Sequence, residues 1–174
     1  MNNKENIGTL TLKRFNGDEI WNITEGEFSI SPRDNYYLLN IWVTSSGDLI
    51  MKPTNDNIRE EEEDSDERIH PRIELQTKLS QEQYQNFIGK SFSFLIEEVP
   101  EETDDNFSNF YYHGHEETYS NQITILKKEA DRYHIHSISS ATDFNFYDES
   151  KPDNEIIIDC WLEMQTHKTG YWTV

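Results

Sequence analysis

The stretch YYHGHEETYSNQITILKKEADRYHIH, residues 111–136, carries two His-x-His pairs, His113/His115 and His134/His136, with Glu116 and Glu117 beside the first. Four of the six histidines fall here, so a metal-dependent site is the first chemistry to weigh. On a strand, residues i and i+2 point to one side about 6.5–7 Å apart, so His134 and His136 share a face with Ile138. Zinc takes three or four ligands, with nitrogen at about 2.0–2.1 Å, so a second strand must bring further donors into register. If segments 107–113, 121–128 and 132–139 form a meander, the middle one holds the two pairs roughly 9–10 Å apart. Gly114 and the polar run 116–121 also place His113 and His115 at a hairpin turn, pointing apart. The expectation is therefore strand-end histidines, with no metal and no cofactor. The alternative is a metal-dependent or small-molecule-binding β-barrel that uses His113, His115, His134 and His136.

Other catalytic signatures are missing: the chain has no G-x-S-x-G, P-loop, G-x-G-x-x-G, C-x-x-C or H-E-x-x-H. Cys160 lies on the apolar stripe Ile156, Ile158, Cys160, Leu162, Met164, which marks it as a small buried hydrophobe and not a nucleophile. The segment DFNFYDES, 143–150, groups Asp143, Asn145 and Asp148 but lacks the glycine and closing glutamate of a calcium loop, so it reads as an Asx-turn loop. No catalytic residue is assigned, and a protein that is not an enzyme is favoured.

Charge is the better lead. Thirty-four Asp and Glu against 15 Lys and Arg give a net charge of −19, which opposes direct binding to nucleic acid or an anionic membrane and favours a basic protein partner. Much of the acid is concentrated in Glu60–Glu67 and in the run Glu97, Glu98, Glu101, Glu102, Asp104, Asp105. Just after the second run, NFSNFYYH places Phe107 and Tyr111 on one strand face and Phe110 and Tyr112 on the other. Tyrosine suits an interface because its ring is apolar and its tip polar. The expected partner-binding residues are thus Glu97, Glu98, Glu101, Glu102, Asp104, Asp105, Tyr111 and Tyr112.

In size and charge the chain resembles bacterial immunity proteins, which neutralise a cognate toxin. That resemblance implies a non-catalytic inhibitor with a basic partner. A nucleic-acid mimic is a third reading, but it needs regular carboxylates on rigid elements, whereas the densest acidic run reads as a loop. A single cysteine excludes an internal disulfide and fits a reducing compartment. With no apolar signal segment and no run of 18 apolar residues, a cytoplasmic location is expected.

The elements that must position these residues are mostly strands. IGTLTLKRF turns Leu10 and Leu12 inward, RIELQTKL turns Ile73, Leu75 and Thr77 inward, and KSFSFLIEEV does the same with Phe92, Phe94 and Ile96. DEIWNI and GEFSIS offer Ile20, Phe28 and Ile30 to the core. YYLLNIWV, 36–43, reads as a central strand covered on both faces, turning through Ser45-Ser46-Gly47-Asp48 into LIMK as a hairpin. Residues 54–69 have no apolar period and read as a mobile acidic loop. LSQEQYQNFIGK is the one helix signal, near 80–88: Ser80 and Gln83 form a capping box, Tyr84, Phe87 and Ile88 share a face, and Gly89 terminates it. The whole, 1–174, reads as a single mainly β domain, an antiparallel sandwich or partly open barrel of about nine or ten strands.

Overall fold

The computed structural model describes residues 6–51, 70–96, 106–112, 114–142 and 151–165, with the backbone alone for 46–49 and 51. The expected acidic loop 54–69, the run from Glu97 to Asp105, His113 and the loop 143–150 lie outside the described residues.

The strands are β1 (Gly8–Arg14), β2 (Gly17–Pro32), β3 (Tyr37–Met51), β4 (Arg72–Leu79), β5 (Lys90–Leu95), β6 (Phe107–Tyr111), β7 (His115–Glu117), β8 (Ser120–Glu129), β9 (Arg132–Ala141) and β10 (Asn154–Gln165). One short helix, α1 (Gln81–Gln85), lies between β4 and β5. Among the described residues these strands form one 10-stranded sheet in the order β5-β8-β9-β10-β1-β2-β3-β4-β6-β7. Every neighbouring pair is antiparallel, and β10 makes one short additional parallel contact with β2.

Period-two patterning makes one face of this sheet the core. In β4, Ile73, Leu75, Thr77 and Leu79 are buried while Arg72, Glu74, Gln76 and Lys78 remain partly exposed. Leu10, Leu12, Phe92, Phe94, Ile156, Ile158, Cys160 and Leu162 are buried in the same way. Strands distant in the ladder meet through this core. Phe28 of β2 packs edge-on to Tyr133 of β9 at 5.1 Å, and Ser108 of β6 donates to Asn121 of β8 at 3.2 Å. The sheet is therefore rolled around its apolar face, and its ends, β5 and β7, are left without a closing ladder. This is the expected mainly β fold, in its partly open form.

The helix is as short as its signal. Ser80 Oγ accepts from the Gln83 amide and the Gln83 side chain accepts from the Ser80 amide, completing the capping box. The helix stops at Asn86, so Ile88 is exposed and not part of a helical face. Tyr84 stacks on Tyr37 at 3.8 Å, and Phe87 packs against Phe28 and Tyr133, which closes one end of the core. Gly89 has φ 75°, a left-handed conformation glycine adopts without steric cost, and it turns the chain into β5 instead of ending the helix.

Three expectations change. β3 runs unbroken through Ser45-Ser46-Gly47-Asp48, with Leu49 opposite Trp21 and Met51 opposite Ile20, so no hairpin forms there. β2 is one residue longer than β3, and the three register shifts between them absorb the irregular residues that read as a turn. β3 is also not covered along both faces: Asn40, Trp42 and Thr44 are partly exposed and alternate with the buried Leu39, Ile41 and Val43, and on their face Leu38 alone is buried among the described residues of 38–44. In β2 the inward set is Glu19, Trp21 and Ile23, not Ile20. Glu19 can be inward because it is paired within the core: Arg14 Nη1 donates to its Oε1 at 3.1 Å and Tyr112 Oη donates to its Oε2 at 2.7 Å.

Candidate partner-binding face

The outer face of the sheet is split where β1 begins. Gly8 lies opposite both Cys160 of β10 and Ile23 of β2, but further along β10 and β2 pair directly, Met164 with Phe28. Between these points the two strands part around Ile7, whose carbonyl accepts from the Trp161 amide at 2.8 Å and whose amide donates to Ile23 O at 2.9 Å. The opening is a groove of about 570 Å³, lined by Thr24, Glu25 and Glu27 of β2, Trp42 of β3, Arg132 of β9, and Trp161 and Glu163 of β10. Gly26 lets the chains pass closely at its floor, since a Cβ there would stand 2.7 Å from Leu162 Cδ2 and 2.9 Å from Trp42 O.

Trp42 and Glu27 face each other across the β2–β3 ladder, both on the outer face, and form a ridge. On its other side is a second groove of about 300 Å³ lined by Glu27, Asn40, Trp42, Glu74, Gln76 and Phe107. Beyond it the Arg72 guanidinium lies 5.6 Å from the Trp42 ring centre and 5.0 Å from that of Tyr111, and it is ion-paired with Glu74. Tyr111 thereby belongs to the same face as Trp42. Half-exposed indoles with carboxylates on both sides have the chemistry of a surface that receives cationic groups: ring faces attract cations and carboxylates pair with them.

The other sequence-singled residues are distributed differently. Tyr112 is only 5% exposed and its hydroxyl donates to Glu19, so its side chain lies in the core and does not reach the outer face. His134 and His136 both turn to one carboxylate: His134 Nε2 donates to Asp159 Oδ1 at 2.7 Å, and His136 Nδ1 lies 3.4 Å from Oδ2. His134 also stacks on Trp161, 4.8 Å between ring centres at 11°, and Lys127 Nζ approaches that indole to 5.0 Å. His134 thus backs the wall of the groove that Trp161 forms. His115 is elsewhere, on β7 at one end of the sheet, stacked on Tyr111 and hydrogen-bonded to Asn109 at 2.6 Å. The expected meander does not form, because β6 pairs with β4 and β7 and not with β8. Among the described residues no group of three or more His, Cys, Asp or Glu side chains is arranged to hold a metal ion.

Trp161 and Glu163 alternate with the apolar stripe Ile156 to Met164 and so share the opposite face of one strand, whereas Trp42, Glu25 and Glu27 were missed as members of the site. Alternation in β3 was the available signal, since it sets Trp42 opposite in sense to Leu39, Ile41 and Val43.

Cys160 is fully buried, and burial first, then the neighbouring Asp159 carboxylate, pushes its thiol pKa well above the ordinary range. The thiolate is the reactive form, so labelling of Cys160 in the folded protein is expected to be at least about 10³-fold slower than in urea, reporting on unfolding. Rapid native labelling with a chromogenic disulfide reagent would show instead that the β10 stripe opens locally. Tyr119 is likewise pushed up to about 12, by burial and by its hydrogen bond to Asp153.

Among the described residues, no helix is long and apolar enough to cross a membrane. No protein-family model, no curated protein and no solved structure matches the chain.

Proposed function

We propose that this chain is a non-catalytic acidic binding protein that covers a basic surface on another protein, as an inhibitor of the toxin-immunity kind does, in the cytoplasm. The observation that carries this reading is the Trp42–Glu27 ridge between two carboxylate-lined grooves, on a chain of net charge −19. Buried aromatic anchors give slow dissociation, while the summed field of many carboxylates accelerates encounter with a cationic partner.

The acidic run 97–105 connects β5 to β6 in the sequence and supplies charge for steering. Exposed charges are screened over about 8 Å at physiological salt, so each contributes little to a settled complex, yet together they raise the association rate. Changing Glu97, Glu98, Glu101 and Glu102 to Gln and Asp104 and Asp105 to Asn is expected to slow association about tenfold at low salt and to flatten its salt dependence, with dissociation nearly unchanged. Stopped-flow or surface-based kinetics at several ionic strengths reads this. An unchanged association rate would remove these six residues from the steering role.

A further inference from the structure

Arg72 shows how this face holds a guanidinium. Its planar group lies against the rings of Trp42 and Tyr111 and pairs with the Glu74 carboxylate, all on the β4 side of Trp42. On the β2 side the larger groove offers the same kinds of group: Trp42 and Trp161 as aromatic surface, Glu27 and Glu163 as carboxylates. Among the described residues, the exposed carboxylates Glu27 and Glu163 line it, with Arg132 opposite Glu163 in the β9–β10 ladder and Lys127 Nζ 5.0 Å from the Trp161 ring centre. At about 570 Å³ this open groove has room for more than one side chain.

We infer that this groove receives an arginine side chain presented by the partner, an inference that rests on the reading of the face as a surface for a basic protein. Arginine is favoured over lysine on physical grounds. A guanidinium is flat, weakly hydrated and carries a fork of donors, so it can stack on an indole while bonding a carboxylate in its plane, whereas an ammonium is a compact, strongly hydrated point charge. The bonds formed in the groove would repeat those that Arg72 makes within the chain.

The test uses the whole chain with blocked Gly-Arg-Gly and Gly-Lys-Gly peptides, which carry equal charge, followed by NMR of the tryptophan indole N–H groups. The arginine peptide is expected to shift the Trp42 and Trp161 signals at millimolar concentration and to bind about 2- to 5-fold more tightly than the lysine peptide. Glu163→Gln, at an exposed position, is expected to weaken the arginine peptide without altering the melting temperature, and Trp42→Ala to abolish its effect on Trp161. Equal shifts with both peptides, or shifts confined to other residues, would overturn the arginine site. If a basic protein binds in a Trp42-dependent way while the arginine peptide leaves both indoles unmoved, the arginine site fails and the reading of the face stands. If neither binds, both fail.

Discussion

Arg14→Met is expected to lower the unfolding free energy by about 3–5 kcal/mol, the largest stability effect of any single charged side chain among the described residues. The Arg14 and Glu19 side chains are 1% and 2% exposed, and the second Glu19 oxygen accepts from Tyr112. Removing the guanidinium leaves a buried carboxylate with one hydroxyl donor in place of its charged partner, and the desolvation of that carboxylate is no longer offset. The double variant Arg14→Met/Glu19→Leu removes both charges and is expected to recover most of the loss, ending within about 1–2 kcal/mol of the parent. Urea unfolding of the two variants measures the non-additivity directly. An Arg14→Met loss below about 1 kcal/mol would mean that water reaches Glu19, and that the end of the core lined by Trp21 and Tyr112 is open.

Trp42→Ala is expected to weaken partner binding by about 30- to 1000-fold, corresponding to about 2–4 kcal/mol, with most of the change in the dissociation rate. Trp42 lines both outer grooves and carries the Arg72 guanidinium, so truncating it removes an aromatic wall from each groove and releases Arg72. Its side chain stands on the outer face, so the core residues Leu39, Ile41 and Val43 on either side keep their packing and folding is expected to persist. Glu27→Gln should act differently, slowing association more than it speeds dissociation, because an exposed charge contributes mainly through its field. A dissociation rate unchanged by Trp42→Ala, in a variant whose melting curve matches the parent, would place the contact elsewhere on the chain.

The strands whose burial follows strict alternation were legible: Leu10 and Leu12, Ile73 to Leu79, Phe92 and Phe94, and Ile156 to Leu162 all point where a period of two directs them. The capping box of Ser80 and Gln83 was legible because it involves neighbours three residues apart. Glu19 was not, because a carboxylate enters a core only when other groups pair with it, here Arg14 across the β1–β2 turn and the sequence-distant Tyr112. The full lengths of β2 and β3 were hidden because bulges let glycine, serine and aspartate sit inside a ladder. The groove depends on β1 beginning between two strands that pair with each other beyond it, a relation fixed by non-local register. Trp161 with Glu163 could be read from one strand; Trp42 beside Glu27 required knowing how β2 and β3 align.

The central claim is that the outer face meets a basic protein surface, and the most direct measurement is the association rate of the parent chain with its captured native partner as ionic strength is raised. The account predicts a partner with a positively charged contact surface and an association rate that falls by about tenfold or more between low and physiological salt. An acidic partner, or an association rate indifferent to salt, would contradict it.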